Sequence, residues 1–170
     1  MLQLNSVANV GVHRTCTPLY EKYEATPYNT FLDPSDTTNI YSGMVMYRTG
    51  PDTVANAGSA TTTGAKPFGL SALDRNPNID DVTQVGVNAW AVWLGGSNAF
   101  FTITAPAFDT TKAYSVSGTG ERTLLYTVSG TGQLTSTSGS NLFGVPVAEL
   151  IDVISPTQIV VRLVPFGATA

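Results

Sequence analysis

Cysteine, histidine and charge are all scarce in this sequence. Cys16 is the only cysteine among 170 residues, so no disulfide can form within the chain. His13 is the only histidine, and any Ser–His or Cys–His nucleophile would have to use it. The stretch around it, residues 8–15, reads as an arm rather than as the frame of a pocket. A zinc site built from nitrogen and sulfur ligands takes about four such groups, and His13 and Cys16 supply two. These absences argue against catalysis or metal binding by His13 and Cys16. Charged residues make up 12% of the chain, about half the ~25% typical of globular domains. The net charge is −4, and the eight basic residues are scattered singly. Phosphate recognition needs clustered Lys and Arg, so no nucleic-acid partner is expected. Long apolar runs are missing as well. The longest is Ala89-Trp90-Ala91-Val92-Trp93-Leu94, far short of the ~20 residues of a membrane-spanning helix, and no membrane partner is expected. No basic stretch leading into an apolar one marks a signal peptide, and Asn-x-Ser/Thr sites are absent. Together with the lone cysteine, this favours synthesis in a reducing host cytoplasm.

Apolar residues, at 42%, suffice for one core, and Thr (24 copies) and Ser (13 copies) take the place of charge on the surface. Residues 1–42 show no sustained period. They carry Pro18, Pro27 and Pro34 together with Tyr20, Tyr23, Tyr28, Phe31 and Tyr41. Disordered tails are poor in aromatics, so this stretch reads as an extended N-terminal arm lying on a surface, its own domain's or a neighbour's. Residues 43–170 read as a β-domain. Gly43–Thr49 is a strand bounded by glycines. Residues 50–66, rich in Gly, Ala and Thr, read as a mobile surface loop with Val54 as the sole apolar anchor. Phe68–Leu73 is the next strand. Residues 85–94 then form the central strand, with apolar side chains on both faces after Asn88. Gly95-Gly96-Ser97-Asn98 turns the chain into Ala99–Thr104. Further strands are expected at Ala113–Val116, Arg122–Val128, Gln133–Ser136, Val145–Ile154 and Gln158–Val164, the last two as a hairpin.

A faint internal echo links the halves. Met46-Tyr47-Arg48-Thr49-Gly50 followed by Phe68-Gly69-Leu70 resembles Leu125-Tyr126-Thr127 followed by Phe143-Gly144-Val145. Two such units could pair into one barrel, against the alternative of chance similarity among Gly-rich strands.

Three motifs invite chemistry and fail. Asp74-x-Asn76-x-Asn78-x-Asp80 has the alternating oxygens of a calcium loop, but Ile79 stands where glycine belongs and Val85 where glutamate belongs. Gly118-Thr-Gly120 and Gly130-Thr-Gly132 lack the Gly-Lys-Ser/Thr ending of a phosphate loop and read as hairpin turns. Trp90 and Trp93, three apart on a strand, point to opposite faces, so they cannot form one sugar-stacking platform.

The strand Gly43-Met44-Val45-Met46-Tyr47, the long loop and Lys66-Pro67-Phe68-Gly69-Leu70-Ser71-Ala72 resemble the head decoration, or cement, proteins of tailed bacteriophages. So do Leu124-Leu125-Tyr126, Gly132-Gln133-Leu134-Thr135, Phe143-Gly144-Val145-Pro146-Val147-Ala148 and Ile159-Val160-Val161-Arg162-Leu163. The resemblance covers residues 43–166. It implies an all-β, barrel or tulip-like fold on the outside of an icosahedral capsid, with the major capsid protein as partner, often as a homotrimer, and no catalysis and no cofactor. The arm aromatics Tyr20, Tyr23, Tyr28 and Phe31 are the candidate partner-binding anchors, since aromatics bring large contact area at low entropy cost. The alternatives are a carbohydrate-binding or adhesive sandwich of a tail or fibre, and a tail-tube subunit.

Overall fold

The computed structural model describes residues 16–18, 27–60, 65–75, 89–94, 99–138 and 143–164. Its strands are β1 (Cys16–Pro18), β2 (Tyr28–Leu32), β3 (Val45–Arg48), β4 (Thr53–Asn56), β5 (Pro67–Ser71), β6 (Ala89–Leu94), β7 (Phe100–Thr104), β8 (Thr123–Thr127), β9 (Leu134–Thr135), β10 (Ala148–Ser155) and β11 (Gln158–Leu163). Strands β2-β4-β3-β5-β6 close into a barrel, and β1-β7-β11-β10-β8-β9 form a six-stranded sheet. The fold is the all-β barrel architecture that the sequence implies.

Alternation along the barrel strands explains how two cores arise from one sheet. Met46, Val54, Trp90 and Val92 point into the barrel, where Leu32 and Ile40 join them. Val45, Leu70 and Trp93, their neighbours on the same strands, point outward into a second core shared with Phe101, Ile103, Leu125, Leu150 and Val161 of the six-stranded sheet. Strand β6 is thus apolar on both faces because each face meets a different core, as its period of two predicts. The β10–β11 hairpin is present.

The two sheets repeat one topology. If the five strands of each unit are lettered a to e in chain order, both sheets run c-b-d-e-a: β4-β3-β5-β6-β2 in the barrel, β9-β8-β10-β11-β7 in the other. The registers also agree. Tyr47 pairs with Ala55 as Tyr126 pairs with Thr135. Leu70 pairs with Trp93 as Glu149 pairs with Arg162. Thr30 pairs with Trp90 as Ile103 pairs with Ile159. The closing contact matches too. Asp33 N–H donates to Val54 O and Asp109 N–H to Leu134 O, each at 2.8 Å. Each aspartate then caps its own turn, its Oδ1 accepting the N–H and hydroxyl of Ser35 and Thr111 respectively. The echo of Met46-Tyr47-Arg48 with Leu125-Tyr126-Thr127 is therefore in true register. Phe143 is not the counterpart of Phe68, because Gly69 corresponds to Ala148 and so Phe68 to Val147. The units also build a barrel and a curled sheet, not one shared barrel. The cause lies after β7. Ala105-Pro106-Ala107 intervene before Phe108 reaches Leu134, leaving a single parallel bridge where the barrel has the ladder Phe31↔Thr53, Leu32↔Val54.

Several expectations need correcting. Within residues 50–66, the stretch read as a mobile loop, Thr53–Asn56 is a barrel strand, and Val54, Ala55, Asn56 and Ala57 are buried. Short side chains hid it: closure of the barrel buries them without any apolar period. Ala113–Val116 is not a strand. Tyr114 fixes that segment instead, its ring edge-on to Phe108 at 5.2 Å and its hydroxyl donating to Asp109 O and Leu134 O. Burial holds the Tyr114 hydroxyl well above the usual tyrosine range. Within residues 1–42, the stretch read as an arm, β1 pairs with β7 and β2 is a barrel wall, so barrel residues begin upstream of Gly43. Backbone pairing on both edges captures β2 despite its exposed aromatics. Cys16 is fully buried, packed beside Gly43 with its N–H donating to Ser42 Oγ at 3.1 Å. His13, Tyr20, Tyr23, the turn at 95–98 and most of the calcium-like stretch at 74–80 lie outside the described residues.

Candidate functional site

Strand β2 carries the aromatic face. Thr30 and Leu32 point inward and are buried, while Asn29 and Phe31 point away, leaving Phe31 47% exposed. Tyr28 sits at the barrel mouth, 38% exposed, edge-on to Phe68 with ring centroids 5.7 Å apart. Arg48 covers the same Phe68 ring, its guanidinium carbon 4.6 Å from the centroid. A cation over an aromatic face is attracted by the ring quadrupole, so this mouth is a semi-rigid aromatic cap. Beside it runs a groove of about 400 Å³, lined by Asn29, Thr30, Phe31, Leu73, Ala89, Trp90 and Ala91. No charged side chain among the described residues lines it. Two of the four anchors expected from the sequence, Tyr28 and Phe31, are thus on this strand, but three apart they take opposite faces, Tyr28 at the barrel mouth and Phe31 on the outer side beside the groove. Tyr20 and Tyr23 are outside the described residues.

A second feature joins the two units. Asn56 is buried at the end of β4, and its Nδ2 donates to Asn39 O and to Thr131 O, each at 3.1 Å. Its Oδ1 accepts from Gly58 N–H, and its own N–H donates to the buried Asp36 carboxylate at 2.6 Å. The β8–β9 turn is therefore clasped against the barrel. Two glycines permit the approach: a Cβ on Gly132, which also has φ +77°, would collide with Asn56 Oδ1, and one on Gly58 would lie 2.6 Å from the Thr131 backbone. The cleft beside this clasp, about 240 Å³, includes Thr38, Tyr41 and Gln133. Most of its side-chain groups already serve the fold; Gln133 Nε2, for one, donates to Pro106 O at 2.8 Å.

The third feature lies on the outer face of the six-stranded sheet. Glu149 Oε2 accepts from Arg122 Nη2 at 2.8 Å and from Arg162 Nε at 3.1 Å, with Arg162 Nη2 also bonded to it. The hydrogen bond from Arg122 leads in holding the Glu149 carboxyl below the usual glutamate range, with Arg162 adding to it against the opposing effect of burial. Both arginine positions are visible in the sequence, but only strand register reveals that they converge on one carboxylate.

Trp90 and Trp93 are both buried, on opposite faces, and Trp90 Nε1 donates to Ser71 Oγ at 3.0 Å, so neither offers a stacking platform. Among the described residues no three His, Cys, Asp or Glu side chains are grouped to hold a metal. No helix there is long and apolar enough to cross a membrane. No curated protein and no solved structure matches the chain. A family model described as phage cement protein matches residues 2–170, nearly the full sequence, and that description is of a phage structural family, not an enzyme family. The match extends the resemblance through residues 2–42, for which the sequence motifs had no counterpart, and on it the chain belongs to the phage cement protein family.

Proposed function

We propose that this chain binds the outer surface of an icosahedral phage capsid and stabilises it by bridging neighbouring major capsid proteins, as a homotrimer on the shell. The observation that carries the reading is the match to the cement family over residues 2–170. The attachment face in this proposal is β2 with its groove. Phe31 is a large apolar side chain left half in solvent beside an uncharged groove, and buried aromatic anchors dominate interface energies. The chain carries only 12% charged residues, which suits close packing of many copies, because like charges on adjacent copies would repel.

The test is Phe31→Ser, assayed by co-sedimentation with capsids lacking the protein. Since Phe31 is half-buried, its loss should cost about 1 kcal/mol, so the far-UV circular dichroism should match that of the parent and the melting temperature should fall by only a few degrees. Binding should weaken at least tenfold. Undiminished binding with an intact fold would move the attachment face elsewhere. Truncation through residue 31 is the wrong test, because it removes most of a barrel strand.

A further inference from the structure

The repeat exposes a difference at one sheet edge. In the second unit, β1 lies antiparallel on β7, with Cys16↔Ile103, Thr17↔Thr102 and Pro18↔Phe101. By the register match, Phe101, Thr102 and Ile103 correspond to Tyr28, Asn29 and Thr30 of β2. On β2 the matching edge is bare: among the described residues, β4 pairs only with Phe31 and Leu32, and no strand lies against Tyr28–Thr30 on that side. Phe31 N–H donates toward β4, to Asp52 O at 2.9 Å. Alternate residues of a strand aim their backbone groups the same way, so the N–H and C=O of Asn29 also face the bare edge. Asn29 is exposed.

We propose that this edge of β2 is a strand-acceptor site, and that its occupant is the segment Cys16–Pro18 of a second copy of the chain. The second unit shows this strand seated on the equivalent backbone in the equivalent register. Transferred to β2 of another copy, it places Thr17 opposite Asn29, Cys16 opposite Thr30 and Pro18 opposite Tyr28. An added strand gains main-chain hydrogen bonds from the edge it joins. The seat on its own β7 also buries Cys16 in the shared core and adds the Cys16 N–H to Ser42 Oγ bond. Exchange therefore favours the home seat in dilute solution and the neighbour's seat when copies are crowded. This inference concerns contacts between copies and does not depend on capsid attachment.

The experiment uses two full-length variants in a Cys16→Ser background, Thr17→Cys in one and Asn29→Cys in the other. They are mixed in equal amounts at rising concentration without capsids and oxidised. A 17–29 disulfide in this mixture joins two chains by construction. The expected result is a covalent dimer on non-reducing gels, with the 17–29 linkage found by peptide mass spectrometry, rising at least fivefold between 10 µM and 1 mM. The double variant Thr17→Cys/Thr102→Cys, oxidised at 10 µM where the home seat is occupied, serves as control and should link within one chain. Absence of the 17–29 linkage at 1 mM, with the control linking fully, overturns the proposal. So does a dimer whose linkage is 17–17 or 29–29 alone.

Discussion

The barrel and the curled sheet place the same strands in the same order and register, yet they solve their outer walls in opposite ways. Val45, Leu70 and Trp93 line the outward wall of the barrel and are buried in the core shared by both units. The corresponding residues of the second unit are Leu124, Glu149 and Arg162, and here the wall is closed off by an ion-paired carboxylate. One wall is built to be covered by another sheet, the other to end the stack in water. Topology thus repeats while surface chemistry decides how many units can pack. An apolar triad at the second wall would invite a third unit, which the Glu149 cluster discourages.

Substitutions at matching or joining positions can break this comparison. The largest effect is expected for Trp93→Ala in the shared core. Truncating a buried tryptophan costs about 3–5 kcal/mol, and because Trp93 packs on Phe101 across the seam, 5.2 Å between centroids, both units should lose that stability together. Urea unfolding followed by fluorescence and by circular dichroism should give one coincident, shifted transition. Two separated transitions would show that the units fold independently. A smaller loss, about 1–3 kcal/mol, is expected for Asn56→Ala, which takes the donor from the part-buried Asn39 and Thr131 carbonyls and the acceptor from Gly58 N–H. Amide exchange should rise at Gly132 and Val45, whose N–H and C=O groups lie at that junction; protection unchanged there would mean the clasp is not what joins the units.

Glu149→Gln should cost least at neutral pH, about 1 kcal/mol, since its arginine partners are partly exposed. Its signature is in the pH profile. The carboxyl titrates lower in the folded chain than in the unfolded one, so its stabilisation is complete above the ordinary glutamate range and is lost as pH falls through that range toward the folded value. The melting temperatures of parent and variant should therefore converge as pH falls through the ordinary glutamate range and below it. A gap that stays constant over that interval would remove Glu149 from the wall's energetics.

Legibility in the sequence followed side-chain size. Strand β6 could be read because Trp90, Val92, Ala91 and Trp93 alternate between two cores. Strand β4 could not, because Thr53, Val54, Ala55 and Asn56 look like loop residues until closure buries them. The repeat was visible only at Met46-Tyr47-Arg48 and Leu125-Tyr126-Thr127, since elsewhere equivalent positions hold residues as unlike as Leu70 and Glu149 or Trp93 and Arg162. Register preserves backbone geometry, not composition. At the candidate site, Tyr28 and Phe31 stood out as aromatics among prolines. Their anchoring strand did not, because its inward residues, Thr30 and Leu32, give too short a pattern to count.

The placement of β1 also determines how the molecule carries tension. Strands β1 and β11 flank β7 and are both antiparallel to it, so they run in the same direction. A pull at the leading end of β1 and the trailing end of β11 acts in opposite senses along the strand axis. Both ladders are then loaded in shear, where hydrogen bonds must yield together instead of unzipping singly. The force crosses from β1 to β7 to β11 without entering β2–β6, although those strands lie between β1 and β7 in the chain. The barrel stays slack until the three-residue β1 ladder gives way, and only then does the polypeptide between Pro18 and Phe100 come taut.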